Sequence, residues 1–226
     1  MKKELSLKLV DKEFESYKQY CLEYFPKSDF NNEIHFLRKN ITRIFKCIYL
    51  VQVVKDSVKY GVSDAQYEIV LDSEYILIRL LYILPHQDRY FVFLGFRAIA
   101  ENILRICWLT ESSNKIIDAR NSQYRFLWSD IKKKKIYKDH KEILNQINDI
   151  FGKSSNIIHN KVPEKKIISY LTDLQEGTTR ISNEELNKRI NAITSSFFDI
   201  IFSVYPLNHQ TMTSTSFRIL AELIKD

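Results

Sequence analysis

Glycine and proline are scarce, with only four of each in 226 residues. A sandwich or barrel needs turn residues about every 8–12 positions, so the shortage excludes such folds and predicts long helices with few connections. Cysteine is equally thin. Cys21, Cys47 and Cys107 stand far apart in apolar helical patterns, which excludes a disulfide framework and implies reduced, buried thiols in a cytoplasmic protein. No two of His35, His86, His140, His159 and His209 have ligand spacing, so the expectation is no metal and no cofactor. A long uninterrupted apolar run is also missing. The best candidate, residues 91–109, is broken by Arg97, Glu101, Asn102 and Arg105, whose charges would be costly in lipid. The first residues carry lysines but no apolar stretch of the signal-peptide kind. What is present, 45% hydrophobic and 27% charged residues, excludes wholesale disorder.

The pattern along the chain predicts one all-α domain over residues 1–226, a bundle of about seven to nine helices. Residues 10–25 form the first, ended by Pro26. Asp29 or Asn31 opens a second, running to about Tyr60 on the stripe Ile34, Leu37, Ile41, Ile44, Ile48 and Val51, with Gly61 beyond its end. Ser63 and Asp64 open a third that Pro85 stops. The fourth, from about Gln87 to Glu111, is the most apolar and belongs at the centre. A weaker stretch covers 116–131. Residues 137–151 make another helix, broken by Gly152, after which Ser154 or Ser155 caps a short helix that carries His159 and stops before Pro163. Ser182 and Glu185 form a capping box for a long helix ending near Pro206. A loop at 176–179 precedes it, and a Thr/Ser-rich loop over 211–216 leads to a last short helix.

Charge is unevenly distributed. Ten lysines against five acids lie between Asp130 and Lys166, a local excess nearly as large as the +6 of the whole chain. A basic segment of this kind, with His159 inside it, points to a polyanion and first of all to RNA. Lys132, Lys133, Lys134, Lys135, Lys138 and Lys161 are the candidate phosphate contacts. Tyr124, Phe126, Trp128 and Tyr137 flank the run with rings able to stack unpaired bases. A solvated lysine face that merely keeps the protein in solution is the competing interpretation.

Two constellations carry possible chemistry. Arg97, Glu101 and Arg105 fall at steps of four on the fourth helix, with Asn102 beside them, so they share a face amid apolar neighbours. Either they form an ion ladder that orients the helix, or Arg97 or Arg105 reaches an anion while Glu101 holds it. In the segment 154–160, Asn156 lies about one turn before His159 and Asn160 directly follows it, so both are candidates to assist it. An imidazole there can move a proton near neutral pH, and a ribonuclease without metal needs only a base, an acid and cations at the phosphate. A histidine bonded between helices is the alternative.

An apolar helix with Arg97-x-x-x-Glu101, followed by Ser155-x-x-x-His159, resembles the HEPN superfamily over roughly residues 89–163, and in particular the HEPN-like helical proteins found with bacterial abortive-infection and phage-defence genes. The resemblance implies an all-α bundle with its core over about 87–206, preceded by the helices of 10–84. It also implies a homodimer in many cases and metal-independent RNA cleavage in active versions. In those an Arg and a His, four to six residues apart, face a site shared by two protomers. His159 carries over as the catalytic residue; from their positions beside it, Asn156 or Asn160 is expected to orient it. Position 154 is Ser where an Arg would stand, which leaves Lys153 as its substitute and Arg97 or Arg105 to complete the site from another helix. Lysine supplies charge without the planar two-pronged contact of arginine.

Two functions remain open at this point. One is a cytoplasmic toxin or phage-defence protein that binds or cleaves RNA. The other is a non-catalytic helical subunit that dimerises or docks on an effector protein. Nonspecific DNA binding has less behind it, because no recognition-helix pattern is present.

Overall fold

The computed structural model describes residues 4–58, 64–110, 116–159, 168–169, 172, 180–205, 207 and 212–224. Eleven α-helices and no strand occur among them. They are α1 (Glu4–Tyr24), α2 (Phe30–Glu33), α3 (Arg38–Val58), α4 (Asp64–Ile83), α5 (Arg89–Thr110), α6 (Ile116–Asn121), α7 (Tyr124–Ile131), α8 (Lys135–Asp139), α9 (Lys141–His159), α10 (Asn183–Val204) and α11 (Ser214–Leu223). The class is all-α, as the shortage of glycine and proline predicts. No helix among the described residues is long and apolar enough to cross a membrane. Gly61, Ser63, the loops at 111–115 and 176–179, Asn160, Lys161, Pro163, Lys165, Lys166 and Pro206 lie outside the described residues.

Local chemistry explains most boundaries. Asp88 caps α5 by accepting from the Phe91 amide at 3.1 Å. Ser182 caps α10 by accepting from Glu185 N at 3.2 Å, the bond expected of the capping box. Thr213 does the same for α11 through Ser216 N at 3.1 Å. Ile83 hands over to a 3₁₀ turn, Leu84–His86, because proline at position 85 cannot continue the ladder.

Several boundaries differ from expectation: the first helix starts at Glu4, and the helix expected from 137 is divided at His140 between α8 and α9. The second helix is two: between Glu33 and Arg38 the backbone tightens into i→i+3 bonds, Phe36 N to Glu33 O at 2.9 Å and Arg38 N to His35 O at 3.3 Å. That re-aims the chain so that both Ile34 and Leu37 are fully buried. Residues 116–131 are divided at Ser122, whose hydroxyl donates to Asp118 O at 2.6 Å and competes with the helical ladder. Gly152, expected to break a helix, sits inside α9, which continues unbroken to His159. A mid-helix glycine costs only about 1 kcal/mol. Burial of Leu144, Ile147, Ile150 and Phe151 along one stripe outweighs it.

α5 is the axis of the assembly and packs against α4, α6, α7, α9 and α10. Its charged and polar side chains therefore point either into seams between helices or to solvent. Asn102 enters the α4 seam, where it is buried and donates to Ile69 O at 3.0 Å and Ser73 Oγ at 2.6 Å. It belongs to the core, not to the polar stripe. The three cysteines are buried thiols, none of them in a disulfide. Burial pushes the Cys21 thiol up to about 11 and raises that of Cys47 further.

Candidate functional site

The seam between α5 and α9 brings together two residues that are far apart in sequence. The Arg97 guanidinium lies 3.4 Å from His159 Nε2, and its carbon stands 5.1 Å from the centroid of the Phe151 ring. His159 is exposed and Arg97 half-buried, so the pair opens to solvent at one end and rests on an aromatic ring at the other. A contact of 3.4 Å is longer than a well-formed hydrogen bond. Nε2 accepts from the guanidinium only in the neutral ring with its proton on Nδ1, because arginine has no acceptor to offer.

Phe151 is held in turn. Its ring stacks on Tyr124, with centroids 3.3 Å apart and planes at 5°, and the Tyr124 hydroxyl donates to Asn148 Oδ1 at 2.7 Å. Burial, with the Glu101 carboxylate beside it, pushes the Tyr124 hydroxyl well above its ordinary pKa, so it remains a donor. Asn148, Phe151, Ser155 and His159 lie eleven, eight, four and zero residues before the end of α9, which is one face of a helix. The Oγ atoms of Ser154 and Ser155 are buried without a hydrogen-bond partner among the described residues.

The structure separates the other expected members. Glu101 pairs with Arg105 at 2.7 Å, not with Arg97. Arg105 also donates to Arg120 O at 3.3 Å, at the end of α6, and lies eight residues or roughly 12 Å along α5 from Arg97. The three-residue stripe is thus an Arg–Glu rung plus a separate arginine. Lys153 pairs with Asp149 at 2.6 Å and lines a recess against α10 with Glu184, Glu185 and Lys188. On a continuous helix six residues turn it about 120° from His159. It is not a partner of the imidazole. Ser154 is fully buried, so that position faces the core and has no room for an exposed arginine. Asn156 is exposed on the same turn as His159, with no hydrogen bond to it in the structure.

The lysine run is likewise distant. α9 spans about 27 Å at 1.5 Å per residue, and the run precedes its start whereas His159 ends it. Lys134 is not a free surface charge: its ammonium donates to Trp108 O at 2.6 Å, at the C-terminal end of α5, and its side chain is 11% exposed. Lys132 lies 5.0 Å from the Trp128 ring, which meets Tyr137 edge-on at 5.7 Å. Lys132, Lys133, Lys135 and Lys138 are exposed at the surface. No cluster of three or more His, Cys, Asp or Glu side chains suited to a metal occurs among the described residues.

Phe151 and Tyr124 are the site residues that sequence reasoning missed as such. The signal was available, since Phe151 and Ser155 precede His159 by eight and four residues. It was hidden by the expected break at Gly152. Comparison with protein-family models, curated proteins and solved structures finds no match for this chain.

Proposed function

We propose that this protein is a HEPN-like RNA-directed protein that uses Arg97 and His159 to cleave RNA without a metal, within a bacterial toxin or phage-defence system. The observation that carries the reading is the exposed Arg97–His159 contact at 3.4 Å, built from two helices on a ring platform. In this chemistry the Arg97 guanidinium turns from Nε2 to the phosphate, and the neutral His159 takes the proton of a ribose 2′-hydroxyl through the freed Nε2. The 2′ oxygen attacks the adjacent phosphorus and forms a cyclic phosphate. The 5′ oxygen leaves and is protonated from water. Arg97 neutralises the charge that gathers on the phosphate oxygens, which a guanidinium does through two parallel donors. Asn156, on the same exposed turn, is the candidate to orient the substrate.

A second reading, an interaction subunit that pairs with its own copy or docks on an effector, is favoured by a different observation. Tyr90, Phe91 and Leu94 are 43%, 51% and 41% exposed on the N-terminal half of α5, one to two turns before Arg97. Rings and leucine exposed together are the usual material of an interface.

The deciding experiment incubates labelled single-stranded RNA and tRNA with the protein in EDTA, alongside His159→Ala. Cleavage by the wild type alone supports the first reading. Intact RNA in both lanes, with a dimer in sedimentation that Phe91→Glu dissolves, supports the second.

A further inference from the structure

Helix α4 is apolar on two faces. Ile69, Val70, Leu77, Leu80 and Leu84 are buried where it packs against α3 and α5. Leu71, Tyr75, Ile78 and Tyr82 follow one another at steps of four, three and four on the opposite face. They lie between about 140° and 180° around the helix from Leu80, the residue that meets Gly95 of α5. Leu71 is half-buried, whereas Tyr75, Ile78 and Tyr82 are 68%, 49% and 54% exposed. A helix apolar all round is ordinarily covered all round; here the outer stripe is open to solvent. Rings continue the patch onto the end of α1. Tyr82 meets Phe25 at 5.8 Å, Phe25 meets Tyr20 at 6.0 Å, and Tyr20 meets the exposed Tyr24 at 4.9 Å.

The two flanks of the stripe differ in charge. On the α3 side Glu74 is matched within the chain by Lys55 at 2.9 Å. On the other side Glu68 and Asp72 share one cation, Arg120 of α6, at 3.2 and 2.8 Å. Arg79 stands exposed on that same flank, seven residues beyond Asp72, and makes no ion pair among the described residues. Two carboxylates on one cation at one end, and an arginine without a carboxylate at the other, are the halves of a self-complementary surface.

We propose that the outer face of α4 binds a second copy of this chain, the two α4 helices running antiparallel about a two-fold axis between Ile76 and Leu77. Steps of four and three are the spacing that lets the side chains of one helix enter the spaces of another. In this register Tyr75 of one copy packs on Ile78 of the other and Tyr82 on Leu71, a large side chain against a smaller one each time. Arg79 of each copy reaches Asp72 and Glu68 of the other, and the axis makes this contact twice. Parallel pairing would bring Arg79 to Glu74, which Lys55 already holds. A lipid surface would cover the rings and leave the charged flank unanswered. The stripe spans about 16 Å, and the rings of Phe25 and Tyr24 lengthen the contact at both ends of the pair. This face turns away from α5, so each Arg97–His159 pair stays whole in its own copy and the pairing does not depend on cleavage.

The test is sedimentation velocity of the full chain from about 1 to about 100 μM, where small interfaces associate, with circular dichroism to verify that each variant folds. The wild type is expected to dimerise with rising concentration. Tyr75→Lys/Ile78→Lys, at two exposed positions, is expected to stay monomeric. Phe217→Lys, an exposed ring on α11, is expected to dimerise as the wild type does. Arg79→Glu and Asp72→Arg, each alone, are expected to dimerise at least about tenfold more weakly, since each sets like charges together twice across the axis. Mixed, the two variants are expected to recover a heterodimer, because both contacts then join opposite charges. A wild type that is monomeric throughout overturns the proposal, as does a mixture no tighter than its components. A dimer that survives Tyr75→Lys/Ile78→Lys and is dissolved by Phe91→Glu belongs to the α5 patch and also overturns it. So does a monomer that binds phosphatidylcholine vesicles through the stripe, which would assign that face to a lipid surface. None of these variants touches Arg97, His159 or the lysine run, so loss of pairing and loss of cleavage are read separately.

Discussion

The ammonium of Lys134 donates to the carbonyl oxygen of Trp108 at 2.6 Å and lies 5.5 Å from the centre of the same residue's ring. α5 has no basic residue in its own last turn, so a lysine from the following segment supplies the cation that the carbonyl end of a helix favours. Asp130 steadies the arrangement by accepting from Trp108 Nε1 at 2.7 Å. Lys134→Ala is expected to lower stability by about 1.5 kcal/mol, the loss of one largely buried charged hydrogen bond. Lys133→Ala and Lys138→Ala, at surface positions, are expected to stay within about 0.5 kcal/mol of the wild type. Urea titration of the three variants checks this. Equal effects would show that the run acts as a uniform surface.

For the Arg97–His159 pair, single-turnover cleavage is the appropriate measurement. His159→Ala is expected to slow the reaction about 10²–10⁴-fold through loss of the base. Arg97→Lys keeps the charge but gives up the planar fork and the contact with Phe151, and should still lose much of the rate. Because the two groups act on one phosphate, the double variant should be little worse than His159→Ala. A cleanly multiplicative double variant would separate them.

The two described glycines respond differently to alanine. A Cβ added at Gly152 meets nothing within 4 Å, so Gly152→Ala should stabilise α9 by about 1 kcal/mol through helix propensity. At Gly95 the Cβ would come 3.1 Å from Leu80 Cδ1 in the α4–α5 seam. Leu80 is fully buried and has little room to yield, so Gly95→Ala should lose most or all of the same propensity gain. Thermal melts of both variants decide. A destabilised Gly152→Ala would mean that α9 does bend there.

Several acids are held in their neutral form by the fold. Burial raises the pKa of Cys21 to about 11 and of Tyr49 to about 12, the latter with Glu13 beside it, and raises Cys47, Tyr17, Tyr124 and Tyr205 as well. Unfolded, these groups ionise from about pH 9–10, so above that range the unfolded chain binds fewer protons than the folded one. Stability then falls with rising pH. Lys55, raised by its bond to Glu74, adds loss in the same direction. The melting temperature is expected to hold from about pH 7 to about 9 and to drop steadily toward about pH 11. A flat profile across that alkaline range would contradict the burial of these hydroxyls and thiols.

The helical class, the central place of α5 and the cap at Ser182 are legible in the sequence because each rests on local signals: sparse turn residues, an apolar run, an acceptor three residues before its donor. Gly152 misleads because a propensity cost of about 1 kcal/mol is small beside a buried stripe. The error spreads. With a break at Gly152, Lys153 and His159 have no fixed angular relation and pass for neighbours, whereas in one helix they diverge. Which arginine meets His159, Arg97 or Arg105, is out of reach of the sequence, since 62 residues separate Arg97 from His159 and only the packing of α5 against α9 decides between them. Asn102 groups with its charged neighbours in the sequence because sequence does not tell which seam a polar residue enters.

The continuity of α9 also makes the site sensitive to phase. A residue inserted or deleted anywhere between Lys141 and His159 would swing everything beyond it by about 100° and shift it by about 1.5 Å, which would carry the imidazole away from Arg97 while leaving composition and charge intact. Variation in this segment is thus constrained in number of residues more tightly than in their identity, and loss of the pair requires no change at either member.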